Sequence, residues 1–240
     1  MSEDPAGGAK AMIRILSAGA PKTGVSRCAE AFSQDAGHQV SVSFATAPVL
    51  RGKVEAGEAA ADMVIAPLPA LADFEAKGLT VAGIAAVVGS VKAGVAVRAG
   101  APAPDLTSVE SFIAALKAAR SLVYNEASSG QYIAQLIDRL GLTEDLAVKT
   151  LRLPTGAAVM RHLAESAVER EIGFGQLTEI RLHLDLGLEL VGPLPEAIGK
   201  TTTYGAGLLS AARAPEPTKA LIEFMAAPEG RRIFVNTGVE

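Results

Sequence analysis

The chain has 240 residues, of which 49% are apolar and 20% charged, with a formal net charge of -4 and a pI near 5.5. This composition is typical of a globular protein, and it argues against nucleic acid as a partner because phosphate binding requires a concentrated basic face. The sequence has no run of about 18 uninterrupted apolar residues, so we expect no membrane insertion. The single cysteine, Cys28, excludes an internal disulfide, and without a Cys/His ligand cluster we expect no metal site.

Short apolar runs alternate with Ala-rich segments of helical period along the first half of the chain. Cys28 lies on the apolar face of the first helix and is expected in the core. The alternation of strands and helices predicts a mostly parallel sheet with helices on its faces. Strands are predicted at 12–16, 40–44, 62–66, 81–88 and 94–100, and helices at 23–36, 50–56 and 69–77.

A second run of the same kind follows the Pro-rich stretch APAPD at 101–105. We therefore expect two α/β lobes with a cleft between them: 11–88 plus 200–240 for the first, 89–199 for the second, and a flexible N-terminus at 1–10. In this half, strands are predicted at 121–124, 148–153, 171–175 and 188–192, and helices at 108–119, 129–140 and 157–166, with Gly141 as a helix stop. The segment YGAGLLSA (204–211) and two helices, at 215–227 and 229–236, close the chain.

Ligands of open α/β sheets bind beyond the carboxyl ends of the strands, where loops and helix starts converge. Five such loops are rich in small and hydroxyl residues: SAGAPKTG (17–24), ATAP (45–48), NEASSGQY (125–132), PTGAAV (154–159) and GQLTE (175–179). In the third loop, Ser128 or Ser129 is predicted to cap a helix whose free amides and positive dipole end suit a small anion.

The order of these segments resembles a known family. The stretches VSVSFATAPVLRGKVEAGEAA, GVAVRAGAP, NEASSGQYIAQLIDRLGL, EIGFGQLTEI and KALIEFMAAPEGRRIF are similar to those of the molybdate-type solute-binding proteins of bacterial ABC transporters. The resemblance covers the chain from about residue 11. It implies the type 2 periplasmic-binding-protein fold, with two α/β lobes, a hinge and a ligand cleft between the lobes.

Several expected ligand residues depart from the molybdate pattern. Where the family's oxyanion binders carry a serine, a second serine and a tyrosine, this sequence has Ala20, Thr46 and Phe174. A buried oxyanion loses roughly 1–3 kcal/mol for each missing donor, so molybdate is a poor ligand for this set. The predicted binding residues are Ala20, Thr46, Ser128, Ser129, Gly130, Thr155, Val159, Phe174 and Gln176, and their neutral donors suit the carboxylates of a small organic anion.

Some relatives of the molybdate binders are enzymes. Aconitate isomerases resemble this family and move a double bond within a small polycarboxylic acid by a 1,3-proton shift, which needs a general base and stabilisation of the carbanion but no cofactor. Lys22 and Glu126 are the candidate bases, and Tyr132 and Tyr204 are candidate proton donors. The primary hypothesis is therefore binding and isomerisation of a small unsaturated polycarboxylate.

The start of the chain, MSEDPAGGAKAMIRIL, lacks the basic region and apolar core of an export signal. We therefore expect a cytoplasmic protein, or a periplasmic one if an upstream signal has been removed. Two other functions stay open. One is a solute-binding protein for an organic anion or oxyanion, which would have an ABC permease as partner only if the chain is exported. The other is a cytoplasmic sensor or storage protein for a metabolite.

Overall fold

The computed structural model describes residues 10–240, and most of the segment expected to be flexible, 1–10, lies outside them. Strands and helices alternate along the chain. The strands are β1 Met12–Ala18, β2 Gln39–Ala45, β3 Met63–Pro67, β4 Thr80–Arg98, β5 Ser121–Asn125, β6 Thr150–Leu153, β7 Glu171–Gln176, β8 Leu188–Pro193 and β9 Thr201–Leu209. The helices are α1 Lys22–Ala36, α2 Ala47–Glu55, α3 Leu68–Ala76, α4 Val109–Ala118, α5 Ser128–Arg139, α6 Thr143–Ala147, α7 Gly156–Glu165, α8 Leu177–Arg181, α9 Pro215–Ala226 and α10 Pro228–Asn236.

The chain forms two compact units. The first takes the described residues up to Ala45, Val49–Gly89 and Tyr204–Thr237. Its sheet has the order β2-β1-β3-β9, with β1 parallel to β2 and β3, and β9 antiparallel to β3. Cys28 of α1 is fully buried, as predicted, and burial raises the pKa of its thiol to about 12. The thiol is therefore protonated at neutral pH and packs as a small apolar group.

The second unit takes Thr46–Pro48, Ser90–Thr203 and Gly238–Glu240. Its sheet contains β4-β7-β5-β6 in that order, with β8 also paired to β4. β5 is parallel to β6 and β7, whereas β4 is antiparallel to β7 and β8. The sheet is therefore mixed, and its parallel part is the stretch where strands and helices alternate.

Two apolar cores cover the two faces of this second sheet. One core joins residues of α4, α5 and α6 to alternate residues of the sheet, including Leu122, Tyr124 and Phe174. The other joins Val123 and Ala96 to residues of α7 and α8, such as Val159 and Ile180. The alternation of Leu122, Val123 and Tyr124 between the two cores follows from the two-residue period of a strand.

The two strands predicted at 81–88 and 94–100 are instead one strand, β4, of 19 residues. The segment between them stays extended because its backbone has partners. The amide of Glu240 donates to the carbonyl of Ser90 at 2.8 Å, and the amide of Ala93 donates to the carbonyl of Lys200 at 2.8 Å. These partners are distant in sequence, so the local apolar pattern could not show them.

Of the helices between residues 10 and 240, none combines the length and the apolar character that crossing a membrane requires.

Candidate functional site

Three parallel strands of the second unit end at one edge of its sheet. β5 ends at Asn125, β6 at Leu153 and β7 at Gln176, and the three strands run in the same direction. The amide of Glu126 donates to the carbonyl of Leu153 at 2.8 Å, which ties the loops after β5 and β6 together. We call this edge, defined by Asn125, Leu153 and Gln176, the carboxyl edge. It is the place where α/β proteins hold their ligands.

Asn125 organises the start of α5 at the carboxyl edge. Its side chain, 3% exposed, accepts a hydrogen bond from the amide of Gly130 at 3.2 Å through Oδ1 and donates one to Ser129 Oγ at 2.9 Å through Nδ2. Because the Ser129 oxygen accepts from Asn125, the hydroxyl proton of Ser129 is left to point to another acceptor. The asparagine therefore turns Ser129 into an oriented donor.

The predicted serine cap of this helix is wrong. The N-cap is Ala127, which offers no side-chain hydrogen bond, and Ser128 and Ser129 are the first two helical residues. Asn125 bonds the third amide of the helix, the one that an N-cap side chain usually takes. The first two amides, of Ser128 and Ser129, lie in the turn that has no intrahelical partner. The first turn also contains no acidic residue.

Gly130 is required for this arrangement. A Cβ placed on Gly130 would lie 1.6 Å from the carbonyl oxygen of Asn125 and 2.5 Å from its carbonyl carbon. These are backbone atoms, so a rotamer change could not relieve the clash. The absence of a side chain at Gly130 thus lets the end of β5 and the first turn of α5 pack directly against each other.

The start of α7 lies at the same edge. Thr155 is its N-cap, and the Thr155 hydroxyl accepts a hydrogen bond from the amide of Ala158 at 3.1 Å. A Cβ on Gly156, the first helical residue, would lie 3.0 Å from Glu179 Cγ, 3.4 Å from Glu179 Cδ and 3.8 Å from Asn125 Nδ2. The starts of α5 and α7 therefore share Asn125 as a neighbour, and a carboxyl group lies beside α7.

The end of β7 and the first turn of α8 contribute two largely buried polar side chains. Gln176 is 9% exposed, and within residues 10–240 its Oε1 is buried without a hydrogen-bond partner. The side chain of Glu179 is 12% exposed and lies with its Oε1 3.6 Å from Nδ1 of His183. A buried amide oxygen without a partner is costly and marks a position where a donor is expected.

The other predicted site residues fall in different places. Ala20 and Lys22 lie at the start of α1 in the first unit, both partly buried, and Thr46 lies between β2 and α2. Glu126 is exposed, in the loop between β5 and α5. The roles expected of these four residues stay predictions.

Val159 and Phe174 have side chains that belong to the cores. Val159 is 0% and Phe174 1% exposed, and the Phe174 ring packs edge-on against Tyr124 with centroids 6.5 Å apart. Both side chains are therefore buried in the cores, and only the backbone of either residue could contact a ligand. The alternation that puts Ile172 and Phe174 on the same core face could have shown this from the sequence.

The candidate proton donors Tyr132 and Tyr204 are both occupied or buried. The hydroxyl of Tyr132 donates to the carbonyl of Ile198 at 2.9 Å, and its ring lies under the side chains of Arg139 and Lys200. Tyr204 is 5% exposed, and burial raises its pKa to about 12. These positions are typical of packing residues rather than of proton carriers.

Two functional candidates had no assigned role at the sequence level, although both stand in loops already identified. Asn125 is the first residue of NEASSGQY, and Glu179 is the last of GQLTE. The signal for both was their position at the end of a parallel strand or within three residues of it. The sequence did not show which residues surround each of them, because these segments are brought together only by the pairing of β5 with β6 and β7.

Comparisons with known proteins agree with this architecture. A family model described as bacterial extracellular solute-binding protein matches residues 13–240. A protein named aconitate isomerase from Pseudomonas sp. is 26% identical over 237 residues, which cover 95% of this chain and 87% of that protein.

Two solved structures show the same fold. The periplasmic molybdate-binding protein of Azotobacter vinelandii superposes with a TM-score of 0.75 at 14% identity, covering 95% of this chain and 98% of that one. The sulfate-binding protein SubI from Mycobacterium tuberculosis H37Rv superposes with a TM-score of 0.78 at 14% identity, covering 95% of this chain and 86% of that one. These matches confirm the predicted periplasmic-binding-protein fold.

Proposed function

Because the chain belongs to the bacterial extracellular solute-binding protein family, we propose that it binds a small unsaturated polycarboxylate at the carboxyl edge and isomerises it by a 1,3-proton shift. The observation that carries this proposal is the start of α5. Its first turn combines two amides outside the intrahelical ladder, an oriented serine hydroxyl and no acidic residue.

The charge around the neighbouring helices supports α5 as the anchor. In the second unit, α4, α6 and α8 each have an acidic residue in their first turn. α7 has none of its own, but the carboxyl carbon of Glu179 lies beside its first residue. Among these described helices, α5 is the one with neither an acidic residue in its first turn nor the Glu179 carboxyl group against its first residue. A ligand carboxylate would therefore gain most at that end.

The same groups suit the chemistry of the proton shift. Removing a proton from the carbon next to a double bond leaves a charge that spreads into a carboxylate, and donors already placed around that carboxylate stabilise the charge. Thr46, Thr155 and Gln176 are proposed as further neutral donors, and Lys22 and Glu126 as candidate bases. The relative named aconitate isomerase supports this choice of reaction.

The test is proton exchange in heavy water, followed by NMR on a panel of unsaturated di- and tricarboxylic acids that includes cis- and trans-aconitate. We expect deuterium to enter one acid at the two carbons that exchange the double bond, together with accumulation of its positional isomer. Absence of exchange and of isomer across the panel contradicts the proposal.

A second candidate function is ligand capture for transport. It is favoured by the family description and by the likeness to molybdate-binding and sulfate-binding structures. A transport receptor binds one equivalent of ligand and releases it unchanged, and at about 100 times its dissociation constant the ligand adds roughly 2.7 kcal/mol to the free energy of unfolding. Stoichiometric binding of an organic anion, molybdate or sulfate without any exchange would select this function, and an ABC permease would then be the expected partner.

The cytoplasmic location is likewise a proposal. Cell fractionation of the native host, with an antibody against the chain, distinguishes the two compartments. Recovery in the cytoplasmic fraction agrees with an enzyme of small acids, whereas recovery in the periplasm agrees with a transport receptor.

A further inference from the structure

Glu179 places a carboxyl group next to the proposed anion site. Its Cδ lies 3.4 Å, and Asn125 Nδ2 lies 3.8 Å, from the same point, the position that a Cβ of Gly156 would occupy. Asn125 Nδ2 in turn donates to the hydroxyl of Ser129. The carboxyl group of Glu179 and the oriented serine of α5 are thus neighbours of one amide side chain.

The surroundings of Glu179 hold its side chain in place and shield it from most water. Its side chain is 12% exposed and that of His183 is 15% exposed. His183 Nδ1 lies 2.8 Å from the main-chain carbonyl oxygen of Glu179 and 3.6 Å from its Oε1. Because a carbonyl oxygen only accepts hydrogen bonds, the Nδ1 atom of His183 carries the proton. An N–H donor of the imidazole therefore lies beside the Glu179 carboxyl group.

We infer that Glu179 is the general base of the proposed isomerisation, a conclusion that rests on the proposed function. The carboxylate takes the proton from the carbon adjacent to the double bond, and the C–H electron pair becomes part of a new C=C bond. The old double bond opens toward the carbon two positions away, and that carbon receives the proton back from the Glu179 carboxylic acid. The residue ends ionised as it began, and no other reactant is consumed.

Glu179 has a purely structural alternative. It is the third residue of α8, where Glu or Gln commonly bonds back to the start of a helix. Glutamine caps such a helix as well as glutamate does but has no basic oxygen that can carry a proton. The substitution Glu179→Gln therefore removes the proposed chemistry and leaves the structural role intact.

The general base is tested with Glu179→Gln, with the wild type and with Glu165→Gln as the matched control. Glu165 is an exposed residue at the far end of α7, and its substitution makes the same change of charge and shape. We expect kcat for deuterium exchange to fall at least about 100-fold in Glu179→Gln, the range for loss of a general base. KM and the ligand-induced rise in Tm should be retained, and Glu165→Gln should equal the wild type.

The two proposals fail in different ways. If the wild type is active and kcat of Glu179→Gln lies within about twofold of the wild-type value, Glu179 is not the general base, but the proposed isomerase function is unaffected. The same holds if Glu126→Gln, rather than Glu179→Gln, abolishes exchange. A wild type that exchanges no acid of the panel overturns both.

Glu179→Asp keeps the inference testable if Glu179→Gln does not fold. Aspartate retains the carboxylate but withdraws it by one methylene, so kcat should fall while KM stays unchanged, because near-attack distances are sensitive to shifts of about 1 Å. A folded Glu179→Asp variant with the kcat of the wild type overturns the inference.

Discussion

The starts of α4 and α5 differ in how each helix satisfies its first turn. In α4, Ser108 is the N-cap, it exchanges hydrogen bonds with Ser111 in a capping box, and the first turn contains Glu110. In α5, the N-cap Ala127 contributes no side-chain bond, and the third amide is taken instead by Asn125 at the end of β5. The start of α4 is thus capped by residues of its own N-terminal turn. The start of α5 is instead bonded by a residue of β5, and its first turn has no acidic residue.

We propose that this difference separates a structural helix start from one that binds a ligand. At α4 the serine N-cap bonds a free amide and the acidic residue interacts favourably with the helix dipole, so both groups stabilise the helix. At α5 the side chain of Asn125 accepts from the buried amide of Gly130, and the proposed anion site consists of the first two amides and the Ser129 hydroxyl. We therefore expect changes at α4 to affect stability alone, and changes at α5 to affect both stability and ligand binding.

The largest effect is expected from Gly130→Ala, which would force the first turn of α5 away from the end of β5. Its Cβ would meet the backbone of Asn125 at 1.6 Å, so the first turn must move, and we expect a loss of at least about 3 kcal/mol in the free energy of unfolding. Urea denaturation measures it.

The matched control is Gly52→Ala within α2, where a Cβ has no atom within 4 Å. That change should stabilise the protein by about 0.5–1 kcal/mol, since alanine is the better helix former. Equal effects of the two substitutions would show that α5 is not seated on β5 as described.

Asn125→Ala is expected to have the next largest effect. It leaves the buried amide of Gly130 without its acceptor, which should cost roughly 1–3 kcal/mol, and it should also weaken anion binding. Ser108→Ala at α4 should cost about 1 kcal/mol without changing ligand affinity. Denaturation and calorimetric titration on both variants check the pair, and a loss of affinity in Ser108→Ala would contradict the distinction between the two helix starts.

Asn125→Asp should separate stability from binding. Aspartate can still accept from the amide of Gly130, and its negative charge at the helix start offsets part of the cost of burying a charge on a side chain that is 3% exposed, so the loss in the free energy of unfolding should be smaller than in Asn125→Ala. The same charge should repel a bound carboxylate and lower its affinity at least about 10-fold, which corresponds to 1.4 kcal/mol. Unchanged affinity in a stable Asn125→Asp variant would place the anion elsewhere.

The smallest effect concerns pH at the entry to α4. Hydrogen bonds from the hydroxyl and amide of Thr107 lower the pKa of Asp105 below its ordinary 3.8. Because the folded pKa is depressed, the stabilisation is complete above 3.8 and is lost as the pH falls below it through the folded value. The difference in Tm between wild type and Asp105→Asn should therefore be constant near neutral pH and shrink in acid. A Tm difference between the two proteins that is already lost near neutral pH would contradict the stabilising role of the Asp105–Thr107 hydrogen bonds.

The sequence predicted the elements of the site better than their contacts. The helical period located α5 and α7, and Gly141, whose φ of 67° is left-handed, follows the end of α5 as expected. The serine cap was wrong because Asn125, standing before the helix, takes the amide that a cap would bond. Which side chain bonds that amide depends on the position of the end of β5 in the sheet.

Other features depended on residues far apart in the chain. β4 is continuous because Ser90 and Ala93 have backbone partners near the C-terminal end of the sequence, Glu240 and Lys200. Glu179 lies beside Gly156 because β5 pairs with both β6 and β7. Composition and periodicity carry no information on such pairings, so the carboxylate at the edge of the site could be recognised only in three dimensions.

In the proposed site, the first turn of α5 binds the carboxylate of the ligand. The most direct test of this contact is a titration of the ¹⁵N-labelled protein with trans-aconitate, observing the amides of Ser128 and Ser129 in α5 and of Val109 and Glu110 in α4. We expect saturable shifts of the α5 amide resonances and unchanged positions for the α4 amide resonances. Saturable binding that leaves Ser128 and Ser129 unmoved would contradict it.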